Sequence, residues 1–369
     1  MLSDLNVRRF LRDGNQIGDL SSTLGISIYR HPSLPLVGLK YDQIESPKYH
    51  PIVRECRGIV LEDSTWRVVA RPFDRFFNVG EDADAFHSFD WCDFDCTTKE
   101  DGSLIIVYHY GGEWHVNTSG SFGLGNAGWS GTSWRELFWR TAGFEPEILL
   151  PHYTYVFELC TPHNKVIRPY AQPATYLLGV IQAENGHELR PEIADAWAHV
   201  IGCPRPERHH FRSMAEITAF LEAKAEADKT FEGVVIRDRN DVRFKIKSRS
   251  YVELHRLHDN GNICNPKRLV PVVLRGERDE VVAYFPEIAE TIDRVASEIE
   301  REWSELVKVW RAARTIDSQK DFALSIVKAT PYSGLLFALR KRHGADQSVE
   351  RLAELWRESS DIITKRLYA

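Results

Sequence analysis

The 369-residue sequence has no uninterrupted apolar run near the roughly 18 residues that a membrane helix needs. Its first residues, Met1-Leu2-Ser3-Asp4-Leu5, are polar and lack the core of a signal peptide. A cytoplasmic protein with no membrane partner is expected. Cysteine is sparse, at positions 56, 92, 96, 160, 203 and 264, and no two residues form a C-x-x-C pair. Free thiols in a reducing compartment are expected. His255, His258 and Cys264 are zinc-type ligands without a clear fourth member, and His209-His210 reads as a surface pair in a loop. Positive charge is not in excess. A net charge of -6 argues against a general nucleic-acid coat protein, so any RNA contact needs a local basic surface. The candidates are Lys245 to Arg249, Lys267-Arg268 and Arg340 to His343, each of which also reads as a solvated face.

The length leaves room for two domains, and the composition is that of an ordinary globular chain. Weak helical periodicity over residues 1 to 30 leads to a strand-like run, Ile26 to Tyr29. Residues 33 to 50 are rich in proline and polar residues and read as loop. Strands are expected at Glu55–Glu62, Trp66–Ala70, Tyr153–Leu159, Thr175–Ile181, Gly233–Arg237 and Val242–Ile246. Helices are expected near Ser133–Thr141 and Met214–Ala227. Gly123 to Gly128 matches G-x-G-x-x-G, but no second parallel strand follows, so a turn is favoured over a dinucleotide site. After residue 254 the pattern becomes helical throughout. Ile288, Ile292, Val295, Ile299, Trp303, Leu306 and Trp310 mark one long amphipathic helix. Shorter helices are expected at Phe322–Lys328, Leu335–Arg342 and Val349–Leu367. The expected architecture is α+β, with a mixed domain of antiparallel sheets at 1–254 and an all-helical domain at 255–369.

The densest chemistry lies at Lys99-Glu100-Asp101-Gly102-Ser103. A β-branched run follows, then Gly111-Gly112, then Trp114 to Val116, which reads as a β-hairpin with a lysine at its mouth. Lys99 and Asp101 stand two apart and face one side of an extended chain. Gly102 lets backbone approach a ligand, and Asp101 and Ser103 add polar contacts. Alone, the cluster also reads as a solvated turn. Arg71 to Asn78 mixes arginines with aromatics and suits either phosphate contact or a packed corner. Three later segments complete a set: Phe157-Glu158-Leu159, Phe231 to Ile236, and Lys245-Ile246-Lys247-Ser248.

In this order and spacing the set resembles the covalent nucleotidyltransferases, the polynucleotide ligases and capping enzymes. Glu55 to Ile59, Arg75 to Asn78, Thr98 to Ser103 and Phe244 to Ser248 resemble the ATP-dependent RNA ligase 1 family of the T-even phages. The likeness spans roughly residues 50 to 255, and Tyr251 to His255 resembles the segment that closes that family's catalytic domain. The resemblance implies a nucleotidyltransferase fold and sealing of RNA in three steps. A lysine takes AMP from ATP, AMP passes to an RNA 5′-phosphate, and a 3′-hydroxyl displaces it. RNA repair is the implied setting. The implied roles are Lys99 as nucleophile, Arg57 as a nucleotide contact, Glu158 at the ribose and Glu232 near metal or nucleotide. Lys245 and Lys247 fall at the phosphates, with Lys247 counted among the catalytic groups. Thr98, Arg75 and Gly102 complete the nucleotide site, and Val234 and Phe157 are expected along the adenine. ATP is the AMP donor, with Mg2+ or Mn2+. The partner is RNA, as single-stranded ends or broken loops, tRNA among them; no protein partner is implied.

A lysine with a pKa of about 10.4 is a poor nucleophile at neutral pH. Lys245 and Lys247, with partial burial, are expected to disfavour its charge. Two departures stand out: position 75 is arginine where lysine is expected, and Ser119 stands where a basic residue is expected. The helical tail resembles the family's specificity domain in length and class only, so no tRNA preference carries over. A DNA ligase or capping enzyme would place short strands after the last lysine motif. A binding module that has lost catalysis would carry a broken lysine or glutamate motif.

Overall fold

The structure is a computed structural model that describes residues 5–42, 45–127, 130–258, 265–276, 278, 281–282, 285, 288–344 and 348–368. It divides into two compact units, Met1–Val252 and Glu253–Ala369.

The first unit is built on three sheets. In chain order its strands are β1 (Ile26–Arg30), β2 (Leu36–Tyr41), β3 (Arg57–Glu62), β4 (Val68–Ala70), β5 (Phe77–Asn78), β6 (Phe94–Thr98) and β7 (Ser103–Tyr110). They continue with β8 (Glu113–Thr118), β9 (Tyr153–Cys160), β10 (Ala174–Gln182), β11 (Arg208–His209), β12 (Gly233–Asp238) and β13 (Arg243–Lys247). The sheets have the orders β1-β2-β3-β4, β10-β9-β7-β8 and β11-β6-β12-β13-β5. Every pairing is antiparallel except β13 with β5. The expected loop at 33 to 50 contains β2. Its apolar residues Leu36, Val37 and Leu39 are buried, and β2 pairs on both sides. Tertiary pairing has overridden the local turn chemistry there.

Alternation along β7 shows how the layers stack. Ile105 and Val107 face a core shared with Phe157, Leu159 and the helix Trp134–Ala142. Ile106 and Tyr108 face the opposite way, against Val60, Val69 and Leu36 of the first sheet. The helix Trp134–Ala142 starts on a capping box between Ser133 and Glu136 and stops at left-handed Gly143. The hairpin β7–β8 turns on Gly111 and Gly112 alone, with φ of +61° and +86°. Positive φ at both positions matches the twist of the flanking strands and is costly for residues with a Cβ. The third sheet buries Cys96, Val234, Ile236, Phe244 and Ile246 against the helix Met214–Ala227.

The second unit is helical over its described residues: Pro266–Arg275, Ala289–Ala313, Gln319–Val327, Ser333–His343, Val349–Arg357 and Ser360–Tyr368. The 25-residue helix buries Ile292, Val295, Ile299, Leu306 and Trp310 along one stripe. Trp303 packs on Trp356 with ring centres 5.6 Å apart, so the unit's own shorter helices cover the stripe. The single helix expected at 349 to 367 is two, with Glu358 capping the first. No described helix is long and apolar enough to cross a membrane.

Where β7 begins, Gly102 presses on β9. A Cβ there would stand 2.4 Å from the Leu159 carbonyl oxygen and 2.8 Å from Cys160 Sγ. Gly102→Ala is therefore expected to cost about 1–3 kcal/mol of stability. Urea denaturation measures it, and an unchanged midpoint would show that β9 yields freely.

Candidate active site

The third sheet and the second sheet line a cleft from opposite sides. Residues of β6, β12 and β13 alternate strictly. Thr97, Val235 and Lys245 pair across the strands in one row, and Asp95, Arg237 and Arg243 in the next. These residues line the cleft, while Cys96, Val234, Ile236 and Phe244 lie on the core side. Val234, expected along the adenine, thus faces the core, and its neighbour Val235 lines the cleft. Phe157 is likewise buried on the far face of β9, against Phe138 and Phe144. From the second sheet, Glu158, Leu104 and Leu178 line the cleft. Leu178 sits at a register shift in β10 between Leu177 and Gly179. Arg205 donates to the carbonyls of Leu177 (2.9 Å) and Leu178 (2.8 Å) and so fixes the irregular backbone that carries this side chain.

Lys99 follows β6 directly, and its N–H donates to the Gly233 carbonyl at 2.8 Å. Its ammonium is 2.7 Å from Glu232 Oε2, and Lys247 Nζ is 2.9 Å from Glu232 Oε1. Glu232 is only 3% exposed. Burial works to raise its pKa, but the two lysines outweigh burial and hold it below the usual range. For Lys99, burial disfavours the charge, yet Glu232 and Glu158 outweigh it and raise the pKa. The expected suppression of Lys99 by its cationic neighbours is therefore reversed by these carboxylates. That effect falls on Lys245, which burial, then Arg57, Lys99 and Lys247, push down to about 8. Burial lifts Glu158 to about 7, against the pull of Lys99.

Asp101 and Ser103 serve the scaffold instead of a ligand. Asp101 is buried and accepts from the N–H groups of Ile167 (2.8 Å) and Arg168 (2.7 Å) and from the Tyr251 hydroxyl (2.7 Å). Ser103 Oγ accepts from Asn164 Nδ2 at 2.8 Å. Gly102 donates its N–H to Glu158 Oε1 at 3.0 Å, so the glycine is demanded by β9, and its amide orients a cleft carboxylate. Thr98 Oγ1 lies 2.8 Å from His209 Nε2. His209 belongs to strand β11 and packs against Phe220, so it is no surface loop residue.

Arg57 lines the cleft with its guanidinium 4.7 Å from the Phe76 ring centre, and Lys245 Nζ lies 5.3 Å from the same centre. Arg57 Nη1 is buried with no hydrogen-bond partner among the described residues. An unpaired buried donor at a cationic cleft end suits a bound anion. Arg75 does not line the cleft. It is buried over Tyr41 at 4.1 Å, a stacking role that its planar guanidinium suits better than an ammonium does. Sequence reasoning also missed the buried Glu188, which Arg237 (3.0 Å) and Arg243 clasp at the cleft wall. No sequence motif marks it. No group of three or more metal-ligating side chains occurs among the described residues, and both Glu232 oxygens hold ammonium groups. These residues do not form a metal cage, and Glu232 as a direct ligand does not fit this arrangement. The side chains of His255, His258 and Cys264 lie outside the described residues.

Residues 55–251, which carry this whole constellation, match the sequence profile of the RNA ligases. The chain belongs to the RNA ligase family. It is similar to a protein of Autographa californica nuclear polyhedrosis virus whose name assigns it polynucleotide kinase and RNA ligase activity. The two are 29% identical over 371 residues, covering 94% of this chain and 51% of that protein. The chain thus spans about half the length of that relative. An RNA ligase of Rhodothermus phage RM378 is 28% identical over 319 residues, covering 69% of this chain and 70% of the relative. The fold is similar to that of an archaeal ATP-dependent RNA ligase, with a TM-score of 0.50 at 14% identity, covering 82% of this chain and 83% of that one.

The alternation on β12 separates two neighbouring valines. Val234→Ala is expected to cost about 1–3 kcal/mol of stability and leave nucleotide binding intact. Val235→Trp is expected to leave the unfolding midpoint unchanged and to abolish binding in an ATP titration. The opposite assignment of effects would move the base to the other face.

Proposed function

We propose that this ligase joins RNA 5′-phosphate and 3′-hydroxyl ends at the expense of ATP, through a lysyl-AMP intermediate. The observation that carries the reading is Glu232, buried between the ammonium groups of Lys99 and Lys247, with Lys99 lining a cleft that carries both apolar and cationic side chains. Val235, Leu178 and Leu104 offer apolar surface to adenine, and Glu158 is placed for the ribose. Arg57, Lys245 and Lys247 supply the cations that the phosphates require. In the first step Lys99 Nζ bonds to the α-phosphorus, the bond to pyrophosphate breaks, and the ammonium proton is lost. Mg2+ or Mn2+ would enter with the ATP phosphates, held by them and by water, because the described residues form no cage. RNA ends, broken tRNA loops among them, are the proposed partners, and RNA repair in the cytoplasm is the proposed setting. The free thiols at 56, 92, 96, 160 and 203 suit that compartment.

The helical unit is proposed to bear on RNA choice. Its basic run gives only partial support. Arg340 braces the unit, donating to the carbonyls of Ile316 and Asp317 and stacking on Phe322. Lys341 is exposed and remains for phosphate, whereas Arg342, also exposed, pairs with Glu358 at 3.6 Å.

Lys99→Ala is expected to abolish the covalent adduct when the protein is incubated with ATP labelled at the α-phosphate and run on a denaturing gel. Persistent label would assign the nucleophile elsewhere. Lys247→Ala should reduce adduct formation about a hundredfold, since it removes a phosphate contact and half of the support for Glu232.

The pH dependence follows from Lys99. Its raised pKa makes the reactive free amine scarcer in the folded protein than in a free lysine. The single-turnover rate of adduct formation should therefore climb with pH through 7 to 9, by about tenfold per unit while the amine stays mostly protonated. Glu158→Gln removes one charge that sustains the ammonium and should move the profile to lower pH. A flat profile would mean that the amine is already free.

A further inference from the structure

Position 119 lacks the cation expected there, and a lysine from another strand reaches the same turn. Lys40 is the penultimate residue of β2. Its Cδ and Nζ lie 3.1 Å and 3.2 Å from the point where a Cβ on Gly120 would stand. The lysine stem therefore rests on bare backbone between Ser119 and Ser121. No hydrogen bond or ion pair engages the Lys40 ammonium among the described residues.

That turn also abuts the strand that carries Arg57. Ser119 Cα is 2.9 Å from the Cβ position of Gly58, whose φ is +98°. The β2–β3 register shifts at this point. Leu39 pairs with Ile59 and Lys40 with Arg57, which leaves Gly58 as the extra residue. A bulge re-aims the side chains beside it, and directly opposed residues of antiparallel strands project to one face. Arg57 lines the cleft at its cationic end, with Nη1 buried and unpartnered among the described residues. Two cations without an acid partner on their own hydrogen-bonding atoms thus stand on paired residues beside one small-residue turn. An acidic chain with net charge -6 has no general reason to leave them so.

We propose that Lys40 and Arg57 form a phosphate subsite at the cleft mouth, with Lys40 supplying from β2 the charge that position 119 lacks. The inference rests on the nucleotidyl-transfer reading above. The bound group is a phosphate, either the terminal phosphates of ATP or the 5′-phosphate end of RNA.

The test uses Lys40→Met, which keeps the stem over Gly120 and removes the charge. Two reactions are measured on the full chain: adduct formation across an ATP titration, and sealing of RNA that already carries a 5′-adenylate. A rise of about tenfold in the ATP requirement, with sealing unchanged, assigns the subsite to ATP. A loss in sealing alone assigns it to the RNA end. In either case the defect should shrink as salt rises, and adding Ser119→Lys to Lys40→Met should restore the lost activity. Wild-type behaviour of Lys40→Met in both reactions overturns the subsite. So does a defect that neither Lys40→Arg nor the added Ser119→Lys repairs, because then the stem matters and not the charge. If the unaltered protein forms no adduct, the nucleotidyl-transfer reading fails first, and the Lys40 comparison is not what failed.

Discussion

The carboxylate of Glu232, buried between two ammonium groups, is the constraint on which the site depends. A buried carboxylate without a partner costs several kcal/mol, so neither lysine is free to leave without a replacement cation or a proton. The backbone sets up this arrangement. Gly233 pairs with Lys247, the Lys99 N–H donates to the Gly233 carbonyl, and the Ser248 N–H donates to the Glu232 carbonyl. Three residues far apart in sequence are thus fixed by ladder hydrogen bonds before their side chains meet. In this arrangement Glu232 and Glu158 favour the protonated form of Lys99. Anything that displaces Glu232 from Lys99 changes the lysine's chemistry at once.

Charge at the other side of the trio is tuned in the opposite sense. Lys245 is pushed down to about 8 by burial and by three neighbouring cations. A negative charge beside Lys245 would favour its protonated form. The carboxylates raise the pKa of Lys99, whereas burial and neighbouring cations lower that of Lys245, although both line one cleft. The net charge of the chain says nothing of this. The distribution within a few ångströms decides it.

The order and spacing of the motif segments were legible because ladder pairing and active-site chemistry both leave fixed residue types at fixed intervals. Lys99, Glu158, Glu232, Lys245 and Lys247 were found this way and do converge in space. Phase was not legible. Val234 and Val235 are chemically alike, and only the pairing of β12 with β6 and β13 shows which one faces the cleft. Asp101 and Gly102 stand out in the sequence, but their structural partners lie in segments that no local pattern connects to them. The strand at Leu36–Tyr41 was hidden by its proline- and serine-rich flanks, and the bulge that aims Leu178 has no sequence mark. Glu188 meets Arg237 and Arg243, and Arg205 meets the carbonyls of Leu177 and Leu178, only once the chain has folded.

The Asp101 hub has a consequence for the order of folding. Residues 99 to 102 have no regular secondary structure of their own. They are held through Asp101 by donors 66, 67 and 150 positions downstream. Such distant contacts form late, because closing long stretches of chain must come before them. Of these contacts the one from Tyr251 closes the longest stretch of chain, and it completes the hold on the segment bearing Lys99. A chain that has emerged only as far as residue 250 during synthesis therefore holds every strand of the cleft but still lacks the Tyr251 clasp on Asp101.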